Sequence, residues 1–165
     1  MTTSEGYPEV LPGGRSTSSA SVVRRRYDRI ALVYDLMEGI VERFALARWR
    51  RLLWSRVLGG EVLEVGVGTG KNMLYYPERV AVTAIDLSPR MLRRAARRVE
   101  ELHRPVTLHE MDAQHMTFAD SSFDWVVGSF VFCSVPDPVA GLREVGRVCR
   151  PEGRVLLLEH VRSPG

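Results

Sequence analysis

One stretch, Val62-Leu-Glu-Val-Gly-Val-Gly-Thr-Gly70, limits more than any other what this chain can fold into. Its first part is apolar and strand-forming apart from Glu64, and glycines follow at 66, 68 and 70. Glycine reaches positive φ without steric cost and holds no side chain between a ligand and the backbone. The run therefore predicts a strand ending in a tight turn, with bare backbone at the turn. Spacing excludes two phosphate-binding loops. A dinucleotide fingerprint, G-x-G-x-x-G, needs its third glycine at 71, where the chain has Lys71. The Walker pattern G-x-x-x-x-G-K-[ST] does not occur.

Downstream of Gly59-Gly60, short apolar runs alternate with amphipathic stretches. Glu61–Val65, Val80–Ile85, Val106–Leu108, Phe123–Val127 and Arg154–Val161 read as strands, being rich in Val, Leu and Ile and bounded by Gly, Pro or Asp. Lys71–Tyr76, Pro89–Leu102 and Val139–Cys149 read as helices. Ser88-Pro89 and Asp137-Pro138 are helix starts, because Ser and Asp cap and proline is tolerated at the first helical position. Strand–helix alternation implies right-handed β-α-β units and an α/β fold whose parallel sheet is covered on both faces.

The chain has 165 residues, enough for one domain with a sizeable core. Residues 1–21, rich in Ser, Thr, Gly and Pro, read as a flexible tail. Residues 22–60 carry apolar residues at helical spacing and read as an N-terminal helical cap; 61–165 form the α/β core. No apolar run approaches the roughly 20 residues of a membrane-spanning helix, and no secretory signal pattern opens the chain. Cys133 and Cys149 then read as reduced, buried thiols, and the expected location is the cytoplasm.

Three features fall at successive strand ends. The glycine turn follows the first strand. Asp86 ends the second, twenty residues after Gly66, where a carboxylate would accept hydrogen bonds from a ribose diol. Asp112-Ala113 follows the third, where an acid could accept from an exocyclic amine. Together they lie on the sheet edge at which open α/β sheets bind ligands. Singly, each has a plainer reading, an ordinary glycine turn, an acid capping the next helix or an exposed loop acid.

On these residues the chain resembles the class I S-adenosylmethionine-dependent methyltransferases, across residues 27–163. Glu64-Val-Gly-Val-Gly-Thr-Gly70 is similar to the family's E/D-x-G-x-G-x-G loop, and Ile85-Asp86-Leu-Ser-Pro89 to its second-strand acid. Tyr27–Asp35 (YDRIALVYD) and Phe132-Cys-Ser-Val-Pro-Asp137 look most like the ubiquinone/menaquinone and phosphatidylethanolamine N-methyltransferase relatives. The resemblance implies a Rossmann-like doubly wound sheet, here with five parallel strands in the order 3-2-1-4-5, and S-adenosyl-L-methionine as cofactor. It implies that Asp86, with Leu87 beside it, takes the ribose hydroxyls and Asp112 with Ala113 the adenine. Glu64, Gly66, Gly68 and Gly70 would take the methionine end. Ser129 and Phe130 would line the cofactor or acceptor pocket, and Tyr27 and Tyr34 would close over the cofactor.

A sulfonium already activates its methyl group, so transfer mainly needs positioning and a neutral nucleophile. His160 is the candidate acceptor-side base, against the plainer reading of a strand-end histidine making one hydrogen bond. No Cys/His cluster has metal-ligand spacing, and Cys133 reads as packing. Arg43–Arg56 holds five arginines, no acid, and Trp49 and Trp54. It reads either as a helix packed on the sheet with solvated arginines or as a peripheral contact with anionic membrane. Arg93, Arg94, Arg97 and Arg98 lack interleaved aromatics and read as a solvated helix face, so no nucleic-acid partner is expected.

The family sheet has seven strands, 3-2-1-4-5-7-6, of which the last two form an antiparallel edge. Only five can be drawn here, which would leave Arg154–Val161 with an unpaired apolar edge. The expectation is a fragment, or a chain whose edge is paired in an oligomer. The leading function is methyl transfer to a small-molecule or lipid acceptor, a phospholipid amine or quinol first. The alternative is a non-catalytic cofactor-binding or interaction module that retains the fold.

Overall fold

The computed structural model describes residues 46–159. Residues 46–54 are helical (α1). Then follow β1 (Gly60–Val65), a 3-10 helix (Lys71–Tyr75), β2 (Val80–Asp86), α2 (Pro89–Leu102), β3 (Val106–Glu110), β4 (Phe123–Ser129), α3 (Pro138–Val148) and β5 (Cys149–Leu158). All five strands are parallel, in the order β3-β2-β1-β4-β5. Tyr27, Tyr34 and His160, with the tail 1–21 and most of the cap 22–60, lie outside the described residues.

The sheet separates two apolar layers, and strand alternation assigns each residue to one. Val62, Val82, Ala84 and Val127 face a layer holding Trp54, Val57, Met73, Tyr76 and Ala95. Leu63, Val65, Ile85 and Val126 face another holding Phe123, Val145 and Val148. Because β1 and β4 are covered on both faces, their sequences read as apolar runs rather than as alternations. Glu64 breaks the run on the Val62 side and is fully buried.

Both expected helix caps form. The Ser88 hydroxyl accepts from the Met91 amide at 3.4 Å, and the Asp137 carboxylate accepts from the Ala140 amide at 3.0 Å. Two expected elements differ. In place of a helix over Lys71–Tyr76 there is a single 3-10 stretch, Lys71–Tyr75, because Pro77 forces the preceding residue out of helical geometry; Tyr76 has φ −61° and ψ 131°. β5 begins at Cys149 rather than Arg154. Cys149 pairs with Phe123, the register then jumps so that Trp125 pairs with Arg154, and Arg150-Pro-Glu-Gly153 takes up the difference as a bulge. The strand is described to Leu158, so Val161 lies outside.

Arg147 of α3 secures the segment leading into β4. Its guanidinium donates to the carbonyls of Phe118 (2.7 Å) and Met116 (2.8 Å), and to the carboxylates of Asp120 and Glu144 (both 2.7 Å). Glu144 also accepts from the Met116 amide at 2.7 Å. These bonds hold the chain between the third and fourth strands, and so fix the loop that carries Asp112.

Candidate functional site

The chain order reverses between β1 and β4: β1 runs on to β2 and β3 on one side, while β4 is followed by β5 on the other. Loops leaving the strand ends diverge at such a point and leave a crevice. A cleft of about 390 Å³ lies there, and its walls include Gly66, Gly68, Asp86, Leu87, Asp112, Ala113 and Phe130. That volume is within the roughly 300–1,000 Å³ of small-molecule sites. Seven of the expected residues thus meet at one cleft.

The glycine turn shows why two of its positions lack side chains. Gly66 has φ +69°, and a Cβ there would stand 2.5 Å from Val131 Cγ2. Gly68 has φ +55°, and a Cβ there would meet nothing within 4 Å, so its backbone faces open space at the cleft. Left-handed backbone costs an L residue about 1–2 kcal/mol, and overpacking adds about 1–3 kcal/mol. Gly66→Ala is therefore expected to lose about 3 kcal/mol in urea denaturation and Gly68→Ala about 1 kcal/mol. Equal losses would contradict the contact with Val131.

Asp86 joins the second strand end to the glycine turn. Its Oδ2 accepts from the Gly68 amide and its Oδ1 from the Ser88 amide, both at 2.8 Å. One bond to each oxygen leaves each with further acceptor capacity, and the two oxygens are spaced to meet adjacent hydroxyls. Asp112 Oδ1 accepts from the Gln114 amide at 2.8 Å and from Gln114 Nε2 at 3.0 Å. Those bonds, the backbone one first, hold its carboxyl below the ordinary range and keep it an acceptor. Gln114 Oε1 in turn accepts from the Asp137 amide at 3.0 Å, tying this loop to the start of α3.

Glu64, Gly70 and Ser129 stand elsewhere. None of them is in the cleft wall. Gly70, at φ +76°, opens the 3-10 helix against Met73. Glu64 accepts from the Tyr76 hydroxyl and from Asn72 Nδ2. Asn72 Nδ2 also donates to Ser129 Oγ at 2.8 Å, and Arg50 Nη1 donates to Asn72 Oδ1 at 2.6 Å and to Ser129 Oγ at 3.3 Å. Burial raises the Glu64 carboxyl to about 7, against the lowering pull of Tyr76, Asn72 and Arg50. Two residues expected to touch a ligand are thus joined in an internal polar chain behind the glycine turn.

Sequence reading missed Arg50 and Asn72 as members of this chain. Arg50 lies 5.4 Å from the centre of the Phe130 ring, and among the described residues it forms no ion pair within 4.0 Å. Nothing in its sequence context separates it from Arg48 and Arg51 beside it. Glu159 was also missed; its Oε1 accepts from the amides of Val131 (2.9 Å) and Phe132 (3.1 Å) and holds the loop after β4. Cys133, expected to be buried packing, is exposed. It sits in the turn 131–134, closed by the Ser134 amide on the Val131 carbonyl at 2.9 Å, and apolar packing in that loop falls to Phe132 and Val135 instead. Cys149 is buried as expected.

The family model described as "Methyltransferase domain" matches residues 63–157. The chain is 44% identical over 140 residues to a phosphatidylethanolamine N-methyltransferase of Cereibacter sphaeroides, covering 84% of this chain and 68% of that protein. It is 31% identical over 144 residues to the ubiquinone/menaquinone biosynthesis C-methyltransferase UbiE of Bdellovibrio bacteriovorus, covering 84% and 61%. The fold is similar to that of a SAM dependent methyltransferase from Aquifex aeolicus, with a TM-score of 0.57, 26% identity, and coverage of 65% of this chain and 61% of that one.

Proposed function

This chain belongs to the methyltransferase-domain family, and from that premise we propose that it takes part in methyl transfer from S-adenosylmethionine to a lipid or quinol acceptor. The observation that carries the reading is Asp86, held at the end of β2 by the Gly68 and Ser88 amides in the wall of the cleft. The residues present fit the cofactor. Asp86 would receive the ribose hydroxyls and Asp112 the adenine amine, and Gly66 and Gly68, with no side chains at the cleft, would allow close approach. Phe130, Val131, Val135 and Pro136 give the cleft apolar walls suited to a nucleoside ring. Bound there, the cofactor supplies a methyl group on a positively charged sulfur.

The protein's share is positioning. Holding donor and acceptor in line turns a bimolecular encounter into an effectively unimolecular one, and apolar walls exclude competing water. Methyl transfer to a neutral amine releases the thioether and leaves an ammonium that gives a proton to solvent. Transfer to the ring carbon of an ionised quinol is followed by loss of that carbon's proton. The described residues therefore bind and orient while the proton leaves on the acceptor side. A phospholipid amine is favoured as acceptor by the 44% identity to the Cereibacter protein, and a quinol by the 31% identity to the Bdellovibrio protein.

Titration calorimetry of the 165-residue chain tests the cofactor assignment. Micromolar binding of S-adenosylmethionine and S-adenosylhomocysteine is expected, with no heat from NADH. Methyl-labelled cofactor is then offered with phosphatidylethanolamine vesicles or a demethylated quinol. Label in either product supports transfer and selects the acceptor; tight binding with label in neither favours the non-catalytic module.

A further inference from the structure

The helix α1 presents two different faces. Inward, Leu53 and Trp54 are buried in the layer against β1, and Arg50 reaches Asn72, Ser129 and the Phe130 ring. Outward, Trp49 is 53% exposed and Leu52, one turn on, is 46% exposed. Arg48 and Arg51 are exposed on the same helix, and Arg56 just past its end. Leu58 follows at 80% exposure, and no acidic residue occurs from 46 to 60.

We propose that this outward face docks on an anionic phospholipid bilayer, with α1 lying in the interface. An indole ring favours the headgroup boundary, an aliphatic side chain beside it reaches the acyl region, and flanking arginines meet lipid phosphates. Charge argues against a second copy as the occupant. A two-fold contact of this face with itself would set arginine against arginine around only three apolar side chains, Trp49, Leu52 and Leu58. An anionic surface meets every one of those charges with its opposite. Because the Arg50 guanidinium, on the other side of the same helix, lies 5.4 Å from the centre of the Phe130 ring, docking brings the cleft wall to about 15 Å from the bilayer, a helix diameter of ~10 Å plus that distance. The inference does not rest on the methyl-transfer reading, since vesicle binding needs neither cofactor nor acceptor.

Vesicle flotation of the full 165-residue chain tests it, using phosphatidylcholine alone and an equal mixture with phosphatidylglycerol. The chain is expected to float with the mixture, to be released by high salt, and to stay behind with phosphatidylcholine alone. Trp54 and Trp125 are buried, so a blue shift of tryptophan emission on binding reports Trp49. The double variants Arg48→Glu/Arg56→Glu and Trp49→Ser/Leu52→Ser are each expected to weaken partitioning at least about tenfold. Their melting temperature and secondary structure should match the parent, because all four side chains are exposed. Failure to float with either vesicle would overturn the proposal, as would binding unaffected by both variants. A parent dimer that the substitutions dissociate, without vesicle binding, would also overturn it and give the face to a second copy.

Discussion

Asp86→Ala is expected to weaken S-adenosylmethionine binding by at least about a hundredfold while leaving the chain folded. Each hydrogen bond from a ribose hydroxyl to an ionised carboxylate is worth about 1.5–3 kcal/mol, and 1.4 kcal/mol is a factor of ten. Asp86 offers two such acceptors, and its removal also frees the Gly68 and Ser88 amides, so the glycine turn loses its tie to β2. The fold survives because the side chain sits at a strand end, partly buried, outside both apolar layers. Asp86→Asn sharpens the test. Its carbonyl can still accept one amide, but its NH2 faces the other amide donor, so affinity should fall nearly as far as in the alanine variant. Calorimetry gives the affinity and thermal melting the stability. Unchanged affinity would remove Asp86 from the ribose site, and a collapsed melting temperature would make its role structural.

The contrast between Asp86 and Glu64 shows what a sequence of this kind discloses. Strand existence was legible because β1 and β4 are buried on both faces and so spell near-continuous apolar runs. The edge at which ligands bind followed from parallel topology, since all the strands end on one side. Asp86, Asp112, Gly66 and Gly68 could therefore be placed before any contact was known, whereas Gly70, expected beside them, packs on Met73 away from the cleft. Which way a strand residue points was harder. Glu64 lies two residues before Gly66, but strand alternation turns it into the layer of Trp54 and Tyr76, behind the turn rather than at the cleft.

Contacts between distant residues were not legible. Arg50 stands 79 residues from Ser129, and no local pattern distinguishes it from its exposed neighbours Arg48 and Arg51. Only the packing of α1 on the sheet singles it out. The start of β5 was hidden for a related reason. Pro151 and Gly153 look like a turn, and the pairing of Cys149 with Phe123 on the far side of the bulge has no local signature. The Lys71–Tyr75 stretch has helical spacing, but Pro77 leaves it too short to be more than 3-10.

Glu64→Gln is expected to raise stability at pH 8 by about 3 kcal/mol and to leave it almost unchanged near pH 4. Burial lifts the carboxyl from an ordinary value of 4.5 to about 7 in the folded chain. Between those values the folded state holds the proton and the unfolded state does not. Stability therefore falls as pH rises from about 4.5 to about 7, and is level beyond, where both states are ionised. Glutamine removes the titration and keeps the bonding. Its carbonyl accepts from Asn72 Nδ2, and its NH2 donates to the Tyr76 oxygen once that hydroxyl turns around. Asp112, Asp124 and Glu144 are all held below their ordinary values, so their contributions are lost in the more acidic range and do not mask the window. Glu64→Leu supplies the opposite control, since it strands one N–H of Asn72 and the Tyr76 hydroxyl in the core and should destabilise at every pH. Urea denaturation of the three chains from pH 4 to 8 decides the matter. Parallel curves for the parent and the glutamine variant would show that Glu64 stays ionised throughout, with Arg50 rather than a bound proton balancing its charge.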